Sequence, residues 1–261
     1  MLTHPNIDPV IISIGPLQVR WYGLMYIISF LCALFIAKRY LKEIGLSEKI
    51  PFLENLLFYS FLGLIIGARI GFCFFYYPDY FLAHPLEIVK VWKGGMSFHG
   101  GLIGALVFGF AYIKKHKESF LFWADVASIP APLGLFFGRI GNFINGEIFG
   151  KPTNLPWGMV FPEGGPIPRH PVQLYECLVT GLFLFLIMYR LRHKAWPDGA
   201  KFALFLVLYG ILRFLFEFLR EPAQSLPLLF GWMTMGQVLC LFMISLGLTL
   251  LYLVFSRQKS I

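Results

Sequence analysis

Apolar residues run along this chain in long unbroken stretches instead of alternating with polar ones. Seven stretches stand out, at 20–37, 53–77, 98–113, 121–144, 172–189, 201–219 and 234–255. A helix needs roughly 20 mostly apolar residues to cross the hydrocarbon core of a bilayer. Continuous runs of this length favour helices over the alternating strands of a membrane barrel. The pattern therefore predicts an all-α polytopic membrane protein with about seven transmembrane helices in one domain, 1–261. Gly63, Gly67 and Gly71 recur at every fourth position of the second stretch. That spacing opens a groove in which another helix can approach closely.

Composition agrees. Hydrophobic residues make up 57% of the 261 positions and charged residues only 14%, against about 25% charge in soluble domains. Mean hydropathy is +0.70. The net charge of +8 would suggest nucleic acid in a soluble protein. Here the basic residues form short runs between apolar stretches, so they report topology, and nucleic acid is not an expected partner. With the C-terminus placed in the cytoplasm, thirteen Lys and Arg lie in inside loops and six in outside segments. The bias predicts an outward N-terminus and outward loops at 78–97, 145–171 and 220–233. The first residues lack a basic region and a small-residue cleavage site, so no cleaved signal peptide is expected. Cys32, Cys73, Cys177 and Cys240 lie inside apolar stretches without a C-x-x-C, which makes them small buried hydrophobes. No metal-binding spacing and no phosphate loop of the ATP-binding type is present, so neither a metal nor a cofactor is expected.

Three arginines remain within or near the apolar stretches: Arg69, Arg139 and Arg213. An arginine at the bilayer centre costs roughly 2.5–3.5 kcal/mol on insertion scales. Each is expected to pair with an acid or to serve an anion. In the sixth stretch Tyr209, Arg213 and Glu217 are four apart and Arg220 follows, forming one polar stripe. It is either an internal Arg213–Glu217 pair or an arginine held by Glu217 to receive a phosphate. At the end of the fourth stretch Arg139 and Asn142 share a helix face, followed by Asn145, Gly146 and Glu147. Gly146 suits a helix end that requires positive φ. His99 enters the third stretch between Ser97-Phe98 and Gly100-Gly101, where a helix N-terminus favours anions. The run Arg169-His170-Pro171 through Gln173, Tyr175 and Glu176 is either interfacial anchoring or a further part of a site.

These same segments carry a resemblance. Gly138-Arg139-Ile140-Gly141-Asn142-Phe143-Ile144-Asn145-Gly146-Glu147-Ile148-Phe149-Gly150 resembles the signature of prolipoprotein diacylglyceryl transferases. His99-Gly100-Gly101-Leu102-Ile103-Gly104 is similar to their histidine–glycine motif. Trp21-Tyr22-Gly23, Arg169-His170-Pro171 to Glu176, and Tyr209-Gly210 through Arg213 and Glu217 to Arg220 also match, in the family's order. The resemblance implies a seven-helix enzyme of the bacterial inner membrane with its active site toward the periplasm. Its partners would be phosphatidylglycerol and the signal peptide of a preprolipoprotein bearing a lipobox cysteine. The products would be the diacylglyceryl protein and glycerol 1-phosphate. It implies Arg139 and Arg213 as phosphate-site arginines, with His99, Tyr22, Asn142, Glu147, Gly150 and Glu217 completing the functional set. On this reading Asn142 adds a hydrogen bond to the phosphodiester and His99 takes the thiol proton. The outward loop 151–169 is shorter than in some relatives. An anion transporter and another lipid enzyme are the rival classes. The chain lacks the G-x-S-x-G pattern of acyl chemistry.

Overall fold

The computed structural model describes residues 2–15, 17–91, 94–221 and 233–259. Of the loop 220–233, expected to face outward, positions 222–232 fall outside the described residues, as does Lys93. A helix occupies each of the seven apolar stretches. They are α1 (Trp21–Glu43), α2 (Ile50–Tyr76), α4 (Phe98–Lys115), the pair α5 (Phe120–Ser128) and α6 (Ala131–Ile144), the run from α7 (Val172–Glu176) to α8 (Leu184–Leu191), α9 (Ala200–Glu217) and α10 (Met235–Lys259). A short α3 (Pro78–Ala83) lies between α2 and α4. Among the described residues four helical runs are long and apolar enough to cross a membrane, and the α5–α6 pair makes a fifth if counted as one bent span. α4 is diluted by His99, Lys114 and Lys115, and α9 by Lys201, Arg213 and Glu217. The chain is a helical, multi-pass membrane protein. Its helices turn apolar side chains outward, as Ile27, Leu31 and Phe35 show at successive turns of α1.

Packing divides the chain into two compact units, Met1–Tyr40 with Leu121–Ile261, and Leu41–Phe120. In the second unit α2 and α4 meet backbone to backbone. A Cβ on Gly104 would lie 2.1 Å from the Gly63 carbonyl oxygen, and one on Gly67 would lie 2.3 Å from that of Gly100. The glycine spacing of α2 thus finds its partner in the glycines that follow His99. Ser97 caps α4, its hydroxyl accepting from the Gly100 N–H at 3.2 Å.

Arg69 differs from expectation. It is buried, and among the described residues no acid meets it. Its guanidinium donates to four backbone carbonyls, of Glu87 (2.6 Å), Ile88 (2.7 Å), Gly94 (2.6 Å) and Gly95 (3.1 Å). Those carbonyls belong to the segment after α3, so the arginine is a clamp on a loop. Arg69→Ala will leave these part-buried acceptors without their donor, at about 1–3 kcal/mol for each one that cannot find water. Limited proteolysis in detergent will then show faster cleavage within 87–95 than in the wild type; an unchanged rate would remove the clamp assignment.

The first unit holds the remaining helices and two small sheets that the apolar pattern does not reveal. β1 (Leu2–Thr3) pairs in parallel with β4 (Met159–Val160), and β2 (Val10–Ile14) pairs antiparallel with β3 (Leu17–Arg20). α5 and α6 are bent by 46° at a short break. Pro130 and Pro132 explain it, since proline lacks the amide donor a continuous helix needs. Asp125, buried in α5, receives the N–H groups of Gly199 (3.0 Å) and Phe202 (2.7 Å), so an acid from one helix caps the start of α9. Between α7 and α8 the helix widens into π-type turns at Cys177–Phe183. There α6 presses close, and a Cβ on Gly181 would meet Phe136 Cα at 2.7 Å.

Candidate functional site

The site is assembled from the end of α6, the start of α7 and the end of α9, all in the first unit. α6 ends as its sequence suggests: Asn145 caps it and Gly146 takes φ +70°. The chain then turns sharply through Ile148, whose φ of +61° is costly for a β-branched residue. This turn is held on both sides. The Glu147 N–H donates to the Asn142 carbonyl at 3.1 Å, and Gln173 Nε2 donates to the Glu147 carbonyl at 2.7 Å. The Glu147 carboxylate then faces α6, where its Oε1 accepts from Asn142 Nδ2 (2.8 Å) and Asn145 Nδ2 (3.2 Å).

Asn142 is the next link. It is buried, and its Oδ1 accepts from Arg139 Nη1 at 3.1 Å. Both ends of this amide are therefore engaged within the protein, joining Arg139 to Glu147. One of the two Nδ2 hydrogens goes to Glu147, and the amide keeps the other.

Glu176 lies at the centre, 1% exposed. Its Oε2 forms a short ion pair with Arg139 Nε. Its Oε1 is 3.5 Å from Arg213 Nη1 and 4.0 Å from Arg220 Nη1, too far for an aligned hydrogen bond. Arg213 makes its close contact with Glu217 Oε2, at 2.6 Å one turn along α9. Glu217 Oε1 accepts from the Thr234 hydroxyl at 2.9 Å. Thr234 and Gln237 exchange hydrogen bonds as a reciprocal cap on α10 (3.0 and 3.1 Å), which fixes Glu217 against that helix start.

Three guanidinium groups thus meet two carboxylates directly. Over these direct pairs there is one positive charge in excess; Glu147, joined to Arg139 through Asn142, is a third carboxylate one link further out. Each guanidinium offers five donors, and among the described residues the protein uses only some of them on Arg139 and Arg213. The arginine side chains are 15–21% exposed and Glu176 is not, so the cations reach the open side and the anion backs them.

Tyr22 and Gly150 border this network. Tyr22 packs on Gly141, where a Cβ would come within 2.7 Å of its ring, and its hydroxyl lies 3.3 Å from that of Tyr26. Gly150 is a crossing point of backbones. Its N–H donates to the His170 carbonyl at 2.9 Å, it bridges to Arg220, and a Cβ would meet Val172 Cγ2 at 2.5 Å. Gly150 therefore joins the segments that carry Glu147, Glu176 and Arg220. Arg169 secures the loop 151–169 through Gly164 (2.9 Å) and Glu221 (2.8 Å), over the Phe149 ring. His170 is held below its ordinary pKa by burial. His99 is exposed in the first turn of α4, which belongs to the second unit.

The site residues read from sequence divide accordingly. Arg139, Asn142, Glu147, Arg213 and Glu217 form one connected network, with Tyr22 and Gly150 at its edge. Glu176 unites them, from a run, shared with Gln173, whose sequence fits either interfacial anchoring or a site; Arg220 closes the polar stripe of α9. The signal was there. A glutamate four residues inside an apolar run requires a cation, and Arg139 and Arg213 lie in the stretches on either side of it.

A family model described as prolipoprotein diacylglyceryl transferase matches residues 9–253, which takes in every segment of this network. The chain belongs to the prolipoprotein diacylglyceryl transferase family. Curated relatives named phosphatidylglycerol–prolipoprotein diacylglyceryl transferase are similar along nearly the whole chain. One from Nitratidesulfovibrio vulgaris strain DP4 is 51% identical over 255 residues, covering 96% of this chain and 96% of its own. One from Vibrio campbellii is 48% identical over 256 residues, covering 98% of this chain and 94% of its own.

Proposed function

We propose that this protein transfers the diacylglyceryl group of phosphatidylglycerol to the lipobox cysteine of a preprolipoprotein, releasing glycerol 1-phosphate. The cluster of Arg139, Arg213 and Arg220 around Glu176, with one positive charge in excess, carries the reading. The similarity to relatives of that name supports it. The chain acts as a single domain of the inner membrane with seven spans, an outward N-terminus and a periplasmic active site. The Lys/Arg asymmetry supports this orientation.

In the reaction the cysteine sulfur bonds to the glyceryl carbon that carries the phosphate. The carbon–oxygen bond breaks, and its electron pair leaves on the phosphate of glycerol 1-phosphate. The leaving group gains charge in a low-dielectric region, where preorganised donors act most strongly. Arg139 and Arg213 hold the phosphodiester, because guanidinium presents a rigid fork of donors and stays charged. Asn142 and Glu147 set the plane of Arg139, Glu217 sets that of Arg213, and Tyr22 orders the glycerol headgroup. A thiol with an ordinary pKa of about 8.5 is mostly protonated at neutral pH, and His99 takes its proton, directly or through water.

The test uses purified protein, labelled phosphatidylglycerol and a lipobox peptide. A mass gain of one diacylglyceryl group on the cysteine peptide, absent from its Cys→Ser counterpart, is the expected result. No gain, or equal gain on the serine peptide, would reject the function. In the same assay His99→Gln should lower turnover far more than phosphatidylglycerol binding; an equal fall in both would remove His99 as the base.

A further inference from the structure

A second concave surface lies wholly within the Leu41–Phe120 unit and shares no residue with the arginine network. It is a cavity of about 520 Å³ between α2 and α4, near the Lys115 end of α4. Its lining is graded. Lys115 and His116 stand at one end, Tyr112 and Tyr59 follow, and Ala111 and Val107 form the apolar floor. On α4 the lining positions 107, 108, 111, 112, 115 and 116 recur with helical spacing, so they form one face. From Val107 to Lys115 that face spans about 12 Å along the helix axis. Basic groups, then tyrosines, then aliphatics is also the order met on descending from a lipid headgroup into the hydrocarbon. A soluble anion would have no use for the lower half.

The polar end is built and not already neutralised. The Tyr59 and Tyr112 rings stack at 4.9 Å, and Tyr112 lies 4.2 Å from the His116 ring. His116 Nδ1–H donates to the Tyr112 carbonyl at 2.9 Å, so the imidazolium form presents its Nε2–H to an anion. The nearby acid Glu118 is matched by Lys49, with both carboxylate oxygens 2.6 Å from Nζ. Among the described residues no carboxylate pairs with Lys115 or His116. Basic pockets between membrane helices are suited to anionic headgroups. We propose that this groove holds one anionic glycerophospholipid, its phosphate on Lys115 and His116 and its acyl chain against Ala111 and Val107.

Photolabelling in nanodiscs tests the assignment with the full chain. Phosphatidylglycerol and phosphatidylcholine bearing the same photoreactive acyl chain are each incorporated at equal mole fraction, and adducts are mapped by peptide mass spectrometry. Labelling within 107–112 should favour phosphatidylglycerol on the order of tenfold. The double variant Lys115→Gln with His116→Gln changes exposed positions only and should reduce that preference to near unity. Ala111→Trp, also at an exposed position, should fill the floor and suppress labelling by both lipids. Equal labelling by the two lipids in the wild type would overturn the proposal and identify ordinary boundary lipid. A preference that survives the double variant, or labelling that survives Ala111→Trp, would overturn it too.

Discussion

Arg139→Ala will lower diacylglyceryl transfer by about 10²–10³ or more while the protein still inserts and folds, and Arg213→Ala will do the same. The charges of the cluster explain why function goes and fold stays. Without Arg139, Glu176 keeps Arg213 and Arg220 within 3.5 and 4.0 Å, and the two remaining guanidiniums balance Glu176 and Glu217. No buried charge is abandoned, but the single positive excess that attracts a phosphodiester is gone. Arg139→Lys will recover little, because one ammonium cannot bond Glu176, Asn142 and a phosphate in the fork geometry of arginine. The measurement is turnover of purified variants in phosphatidylglycerol micelles beside their elution profiles. Near-wild-type turnover by either alanine variant would contradict the phosphate assignment.

Glu176→Ala will do the opposite damage, striking stability first. It leaves three guanidiniums facing Glu217 alone, with two excess charges in a site where Glu176 itself is 1% exposed. Removing one partner from a buried ionic network costs about 3–5 kcal/mol, which for a chain of this size lowers the melting temperature on the order of 10 °C. Glu176→Gln keeps the shape and one acceptor, so its melting temperature will fall less. Its turnover will still drop, because the Arg139 fork loses the charge that fixes it. Thermal unfolding in detergent, followed by turnover below the transition, separates the two effects. A Glu176→Ala protein as stable as the wild type would mean that the carboxylate does not hold the arginines together.

The contrast between Glu176 and Arg69 shows what a sequence of this type discloses. Helix positions were legible because burial in lipid demands long apolar runs; α1 simply continues past Arg39 to Glu43, since a helix does not end where charge begins. The α5–α6 bend was written in Pro130 and Pro132, although the apolar run passes over them. The small sheets were not legible. β1 and β4 are two residues each and pair across most of the chain, with no period long enough to detect. Arg139 and Arg213 announced themselves through the cost of charge in an apolar run. The same logic misread Arg69, because its partners are backbone carbonyls, which every sequence has everywhere. Glu176 could be seen but not placed: pairing it with Arg139 depends on how α6 packs on the α7 segment, where Gly181 admits Phe136. Gly150 reads as a signature glycine in sequence, and its physical reason, three backbones meeting, exists only in three dimensions.

The most direct measurement is ¹⁵N–³¹P dipolar recoupling by solid-state NMR on arginine-labelled protein with bound phosphatidylglycerol. Guanidinium nitrogens hydrogen-bonded to the phosphate at about 2.7–2.9 Å from its oxygens should dephase the phosphorus signal, with the effect diminished separately by Arg139→Lys and by Arg213→Lys. A phosphorus signal indifferent to both substitutions would show that the lipid phosphate is held elsewhere.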